Sequence, residues 1–299
     1  MWKELLQQLK QGDAKALARC ISLVENETDG YEGFLQSLPL NNSAKIIGIT
    51  GPPGAGKSTL ADALIGLLVA DKKVGVLCVD PSSPFNFGSL LGDRIRMSEW
   101  YNNKNVFIRS LATRGSLGGL HPKIIEITDV MKAAGFDYII IETVGVGQSE
   151  VEIAGLADVT VVVLVPEGGD VIQTMKAGLM EIADIFVVNK SDRPDADTYV
   201  NNLKMMLAPA FHNNIHIPIV KTIASEKEGI EELNEKINEM GKKENDGKKY
   251  LLLAEKAYHI IQQKRMGNVD KHLLKEKIQQ AILNDDQFNI YKFAQAYFT

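Results

Sequence analysis

Residues 45–69 read KIIGITGPPGAGKSTLADALIGLLV. A short β-branched run, KIIGIT, enters a glycine turn, and an apolar stretch of helical length leaves it. The turn itself, GPPGAGKS at 51–58, fits the spacing G-x-x-x-x-G-K-[ST]. Each residue type in it has a physical task. Glycines leave no Cβ in the way, so successive backbone N–H groups can turn inward around phosphate oxygens. Lys57 puts a point charge on the β- and γ-phosphates, and Ser58 offers a hydroxyl to Mg²⁺. A helix opening at Lys57 aims its positive dipole end at the same anion. The stretch therefore predicts strand, phosphate loop and helix in that order. Its candidate ligand groups are Gly51, Pro53, Gly54, Ala55, Gly56, Lys57, Ser58 and Thr59, with Lys57 also catalytic.

Outward from this unit the same alternation continues. The apolar runs VGVLCVD, NVFIRS, DYIIIET, VTVVVLV, DIFVVN and IPIVKT follow KIIGIT between about residues 45 and 240. Longer amphipathic stretches follow most of them. Near-continuous apolar strands separated by helices mean a sheet covered on both faces. The expected fold is α/β, a doubly wound mostly parallel sheet of the P-loop NTPase kind, whose ligands bind beyond the carboxyl ends of the strands. Residues 1–44 read as an N-terminal helical extension. Leu5, Leu6 and Leu9 share one face, and Asp13 is a good N-cap for a second helix carrying Leu17, Ile21 and Val24. Beginning with the polar stretch GKKENDGKK, residues 241–299 read as a C-terminal helical arm. There Leu253, Ala257, Ile260 and Ile261 mark one helix, and Leu274, Ile278 and Ile282 another.

Bulk composition narrows the function classes. The 299 residues are 45% hydrophobic and 24% charged, as in ordinary globular proteins. A net charge of −5 argues against general nucleic-acid binding. Cys20 and Cys78 form no CxxC pair, so neither a disulfide framework nor a zinc site is expected. The first residues, MWKELLQQLKQGD, lack the uninterrupted apolar core of a secretion signal. No apolar run reaches the ~18 residues that span a bilayer. A cytoplasmic protein with no membrane partner is the expectation.

The base is read from the end of the sixth run. DIFVVN continues into NKSD, residues 189–192. An N-K-x-D at a strand end suits guanine, because the aspartate accepts two N–H bonds that adenine cannot offer together. Asn189, Lys190 and Asp192 are thus guanine candidates. In TIASEKEGI, 222–230, a backbone N–H near Ala224 is expected to meet the base oxygen. Three acids are candidates for the metal and the attacking water, namely Asp80 at the end of VGVLCVD, Asp93 in SLLGDRIRM and Glu142 at the end of YIIIE. Mg²⁺ prefers oxygen ligands, so Ser58, Asp80, Asp93 and Glu142 form the proposed metal set, and Asp80 and Glu142 are also catalytic candidates. Arg94, Arg96, Arg109 and Arg114 are available to neutralise transition-state charge, with Arg96 the first choice. Val146 stands where a small GTPase keeps a water-orienting glutamine. Gln148, two residues on, is a poor substitute, and hydrolysis is expected to be slow.

These residues together resemble a known group. GDAKALARCISLVEN, GITGPPGAGKSTL, VDPSSPFNFGSLLGDRIRM, FIRSLATRGSLGGL, ETVGVGQSEVEIA, PEGGDVIQTMKAG and NKSD occur in the order found in the GTPases associated with methylmalonyl-CoA mutase. These are the MeaB or ArgK proteins of the SIMIBI class of P-loop proteins. The resemblance covers residues 12 to about 230, and the C-terminal strings LLLAEKAYHIIQQ and NIYKFAQAYF are similar more loosely. It implies a GTPase that turns GTP over slowly to GDP with Mg²⁺. It implies a chaperone that gates adenosylcobalamin loading and protects or rescues a B12-dependent acyl-CoA mutase, methylmalonyl-CoA mutase first. It implies a homodimer held by the C-terminal helices. Asp80, Asp93 and Glu142 match acids around the metal and γ-phosphate. The segment from Pro166 to Lys176 matches an extra switch that signals to the mutase, with Asp170, Gln173 and Lys176 at its polar positions. The chain departs from the pattern at the polar linker 241–249 and at Asn-Phe within SPFNFGSLL. Two other readings stay open: a metallochaperone GTPase of the nickel-insertion type, for which only His212 and His216 lie close together, and a small-molecule or transport-system kinase.

Overall fold

In the computed structural model the apolar runs become seven strands: β1 Lys45–Thr50, β2 Val74–Asp80, β3 Val106–Ala112, β4 Tyr138–Glu142, β5 Val159–Leu164, β6 Ile185–Asn189 and β7 Ile219–Thr222. The structure describes residues 1–39, 44–80, 97–113, 120–143, 153–166, 179–211 and 217–240. Beyond those it describes 254, 257–258, 260–262, 264–267, 269–284 and 288–297. The strands form one sheet in the order β3-β2-β4-β1-β5-β6-β7. Every ladder is parallel, so "mostly parallel" becomes wholly parallel among the described residues. All residues of β2, β5 and β6 are buried, as a sheet covered on both faces requires.

An acid at the entrance of three strands fixes the register. Asp158 Oδ2 accepts the Ile46 N–H at 2.7 Å, Asp184 Oδ2 the Thr160 N–H at 2.8 Å, and Asp137 Oδ2 the Lys73 N–H at 2.8 Å. Each caps the start of a neighbouring strand, where a donor would otherwise be left without a ladder partner.

One face of the sheet carries α1 Trp2–Lys10, α2 Ala14–Glu25, α3 Tyr31–Gln36 and α5 Ile124–Ala133. Asp13 caps α2 through the N–H groups of Lys15 and Ala16 at 2.7 and 2.9 Å. Leu5, Leu9, Leu17, Ile21 and Val24 enter the same core as Ile46, Leu77, Val79, Ile127 and Ile139. The N-terminal helices are therefore a layer of this unit, packed directly on the sheet. The opposite face carries α4 Lys57–Leu68 and α8 Ile230–Met240. Leu60, Leu64, Ile65, Leu233 and Ile237 pack there with Ile47, Ile49 and Val161. A third cluster joins β5 and β6 to α6 Leu179–Ile182 and α7 Ala196–Phe211 through Leu164, Phe186, Val200 and Leu203.

The chain divides into two compact units, Met1–Asp246 and Gly247–Thr299. The division falls inside the polar stretch 241–249. In the second unit lie α9 Lys271–Asn284 and α10 Ile290–Gln295. Asn289 caps α10 by accepting from the N–H groups of Tyr291 and Lys292. Phe288, Phe293 and Tyr297 form a run of tilted rings with centroids 5.8 Å apart.

Candidate functional site

β1 lies at the centre of the sheet, and the glycine turn leaves its carboxyl end. Two glycines there are required by geometry. Gly51 has φ +139°, and a Cβ on it would lie 2.1 Å from the Val163 carbonyl oxygen of β5. Gly56, the N-cap of α4, has φ +88°, and its Cβ would lie 2.3 Å from Asn189 Nδ2. Both conformations are ones that L side chains rarely adopt. The loop is thus held against β5 on one side and the end of β6 on the other.

Lys57 and Ser58 open α4 and are both buried. Lys57 Nζ donates to the carbonyls of Gly51 and Pro52 at 3.0 and 3.1 Å, which folds the ammonium back over the loop. Ser58 Oγ donates to Glu142 Oε1 at 2.6 Å. Glu142 ends β4, directly beside β1, and is 5% exposed. Asp80 ends β2, the next strand out, and is 3% exposed. Cys78 is in register with Glu142, so Asp80 stands two residues further toward the ligand end. Thr143 Oγ1 donates to Thr50 Oγ1 at 3.0 Å and ties the ends of β4 and β1 together. A cleft of about 280 Å³ results, lined by Gly54, Gly56, Lys57, Ser58, Thr59, Glu142 and Lys190.

The donor set fits Mg²⁺. A hydroxyl and a carboxylate are already in contact, a second carboxylate ends the adjacent strand, and all three offer oxygen to a hard cation. Buried carboxylates are costly unless compensated, and a divalent ion is the compensation this chemistry favours. Ser58, Glu142 and Asp80 are the residues that could hold it. Asp93 and Arg96 lie outside the described residues, as do Arg94, Arg114, Val146, Gln148, Asp170, Gln173, Lys176, His212 and His216.

At the other end of the cleft, NKSD is bound to the phosphate loop. Asn189 is 3% exposed; its Nδ2 donates to the Ala55 carbonyl at 2.9 Å. Its Oδ1 accepts from Thr222 Oγ1 and from the Ala224 N–H, each at 3.1 Å. Lys190 adopts φ +56°, and its Nζ donates to the Gly54 carbonyl at 3.0 Å. Asp192 follows in an exposed turn. The amide of Asn189 joins the phosphate loop to the end of the seventh strand and the turn after it, and the Ala224 N–H, in the stretch where a donor to a base oxygen is expected, is directed to Asn189. Thr222 escaped the sequence reading because a threonine at a strand end carries no signal of its own.

Arg109 is the one candidate arginine among the described residues. It is committed elsewhere. Its guanidinium donates to Glu25 Oε2 at 2.5 Å and to Ser22 Oγ at 3.1 Å, both on α2. A cation held in that pair does not reach the phosphate cleft. His121 shares the same acid, with Nε2 3.6 Å from Glu25 Oε1, while its Nδ1 accepts the Lys123 N–H at 3.0 Å. Neither Glu25 nor His121 was marked by sequence, since the partners lie on separate elements.

Comparison with known proteins agrees with this geometry. The family model "Methylmalonyl Co-A mutase-associated GTPase MeaB" matches residues 17–278. A Pyrococcus abyssi protein named as a GTPase is 50% identical over 250 residues, covering 80% of this chain and 76% of that one. A fused isobutyryl-CoA mutase of Geobacillus kaustophilus is 38% identical over 237 residues, which are 74% of this chain and 22% of that protein. Among solved structures, a LAO/AO transport system kinase superposes with a TM-score of 0.64 at 25% identity, covering 99% of this chain and 96% of that one. The phosphate loop, the strand-end carboxylates and the NKSD turn thus stand on a chain that belongs to the methylmalonyl-CoA mutase-associated GTPase family.

Proposed function

We propose that this GTPase acts with Mg²⁺ as a chaperone of a B12-dependent acyl-CoA mutase, gating adenosylcobalamin loading and protecting or rescuing the mutase from inactivation. The observation that carries the reading is the Geobacillus relative. In a protein named fused isobutyryl-CoA mutase, a segment 38% identical to this chain makes up 22% of the length. Covalent joining keeps two functional partners at high effective concentration, and a separate chain of the same family would meet its mutase by binding. The family name points to the same client class. Methylmalonyl-CoA mutase is the first candidate.

Ser58 and Glu142 would hold a Mg²⁺ ion, which would supply charge neutralisation to the nucleotide phosphates; Asp80 would order water at the same end of the site, and Lys57 would carry the remaining positive charge. Asp192 reads guanine. Val146 in the place of a water-orienting residue makes the intrinsic rate slow, which suits a timer. The second unit serves as a dimerisation arm in this reading. Its large apolar side chains Tyr258, Ile261, Met266, Leu283 and Tyr291 are exposed by 53–84% in the single chain, and a second copy would cover them. No helix of the described residues is long and apolar enough to cross a membrane, and a cytoplasmic setting fits the proposed client.

The test is phosphate release from GTP by the purified chain, with and without purified methylmalonyl-CoA mutase, alongside transfer of adenosylcobalamin followed by its absorption spectrum. Faster GTP turnover with the mutase, and cofactor loading that depends on GTP, are the expected results. Equal turnover with and without every B12-dependent mutase tried would defeat the chaperone reading. Hydrolysis of ATP at the GTP rate would point to the transport-system kinase whose structure this chain resembles.

A further inference from the structure

Two side-chain hydrogen bonds close the phosphate loop into a ring. The loop leaves β1 after Thr50 and enters α4 at Lys57 and Ser58. Ser58 Oγ donates to Glu142 Oε1 at 2.6 Å. The chain steps from Glu142 to Thr143, and Thr143 Oγ1 donates to Thr50 Oγ1 at 3.0 Å. The ring therefore runs from Thr50 through the loop to Ser58, across to Glu142, on to Thr143 and back to Thr50. All four residues are buried, so neither bond is made in competition with bulk water.

Strand alternation puts the two bonds on opposite faces of the sheet. Ile47, Ile49 and Ile140 pack with the α4 core, which places Glu142 on that side, with Ser58. Ile46, Ile139 and Ile141 pack with the N-terminal helices, which places Thr50 and Thr143 on the reverse side. Between the two faces runs the end of the β1–β4 ladder. Ile49 is in register with Glu142, and the Thr143 N–H donates to the Ile49 carbonyl at 3.0 Å. The hydroxyl pair adds one more rung at Thr50, where β1 ends and Gly51 turns the chain into the loop. It thus fixes the start of the phosphate loop to the residue next to Glu142, from the face away from the ligand.

We propose that Thr50 and Thr143 are positioning residues for the metal site: their hydroxyl pair holds the Glu142 carboxylate at the distance from Ser58 that a single Mg²⁺ ion spans. The inference rests on the Mg²⁺ reading above and deepens it by naming two residues that act through Glu142 and the loop. Partners that orient a metal ligand from behind typically govern affinity by about 10–100-fold. The effect of this pair falls on the metal, because Glu142 is the ligand whose backbone it anchors.

The experiment uses the full chain. Thr50→Val and Thr143→Val keep the β-branched shape and remove one hydroxyl each, the double variant removes both, and Thr50→Ser and Thr143→Ser keep the hydroxyl. Mg²⁺ is titrated calorimetrically into the GDP-saturated chain. GDP affinity without Mg²⁺ is measured in EDTA, and the thermal midpoint is recorded alongside. Each single valine variant should bind Mg²⁺ about tenfold more weakly, with metal-free GDP affinity changed less than about twofold. The serine variants should bind Mg²⁺ as the unsubstituted chain does. The double variant tells positioning from stability. Replacing both partners of a buried hydrogen bond by apolar groups of the same shape is nearly neutral. Its thermal midpoint should therefore stay close to that of the unsubstituted chain, while its Mg²⁺ affinity is as low as a single variant's, as two ends of one contact require. It is also the variant that decides if a single substitution does not fold. Unchanged Mg²⁺ affinity in the double variant overturns the inference and leaves the Mg²⁺ reading standing. So does an equal loss of metal-free GDP affinity, which would mark a distorted phosphate loop. No Mg²⁺ binding by the GDP-saturated unsubstituted chain would overturn both.

Discussion

Asn189→Ala tests how the NKSD end of the site is built. The side chain is 3% exposed and serves three buried groups: it donates to the Ala55 carbonyl and accepts from the Thr222 hydroxyl and the Ala224 N–H. Those partners are themselves 0%, 1% and 4% exposed as residues. A net hydrogen bond is worth about 1 kcal/mol, and a buried group left without a partner costs somewhat more. Loss of three contacts should therefore destabilise the Met1–Asp246 unit by about 3 kcal/mol. For a domain of that size this corresponds to a thermal midpoint lower by roughly 6–12 °C. Trp2 and Trp100, the chain's two tryptophans, both lie in that unit. Tryptophan fluorescence during urea unfolding of the full chain therefore reports the right transition. Asn189→Asp separates the contributions. It keeps an acceptor for Thr222 and Ala224 but sets a carboxylate oxygen against the Ala55 carbonyl. It should be destabilised too, and GDP should bind both variants more weakly because the phosphate loop loses its tie to β6. A loss below about 1 kcal/mol in Asn189→Ala, or wild-type stability in Asn189→Asp, would refute the idea that this amide braces the loop.

Three further outcomes follow from the same structure. Gly51→Ala should give no soluble, nucleotide-binding protein, because the added Cβ meets a backbone carbonyl at 2.1 Å at φ +139°; normal GDP binding by that variant would contradict the strand contact. Asp192→Asn, at an exposed position that a bound base would cover, should reduce the preference for GTP over ATP by about a hundredfold or more, measured by competition against a fluorescent GDP. Burial pushes the Cys20 thiol up from 9.0 to about 11, with Arg19 acting in the opposite direction. The unfolded chain releases this proton first, so the contribution of Cys20 to stability is complete below pH 9 and is lost as the pH rises toward about 11. Urea midpoints should fall over that interval, and Cys20→Ala should flatten the slope.

The seven strands were legible because β-branched runs buried on both faces leave little else for the chain to do. The phosphate loop was legible for a different reason: its chemistry is carried by consecutive residues, and the glycines required at 51 and 56 are local demands of the backbone. Asp13 as a cap belongs to the same class. The site beyond the loop was only partly legible. Sequence placed Glu142 and Asp80 at strand ends, which is where they are, but gave no means of knowing that Glu142 touches Ser58 across 84 positions. It offered Arg109 to the phosphates, and the fold gives it to Glu25 on α2. It offered Asn189 as a guanine contact, with no means of knowing that the same amide holds Ala55, Thr222 and Ala224 in place.

By itself, then, the amino-acid order determined what each short stretch is: strand, phosphate turn, helix and the strand-end NKSD turn. Those identities depend on interactions within a few residues, on periodicity, β-branching and φ. Tertiary structure alone decided the strand order β3-β2-β4-β1-β5-β6-β7. With it came the pairing of Ser58 with Glu142, the bracing of the phosphate loop by Asn189 and the tie between Thr50 and Thr143. Such contacts join residues dozens of positions apart, and their partners are chosen by how whole elements pack to bury apolar surface, a property no local window of sequence contains.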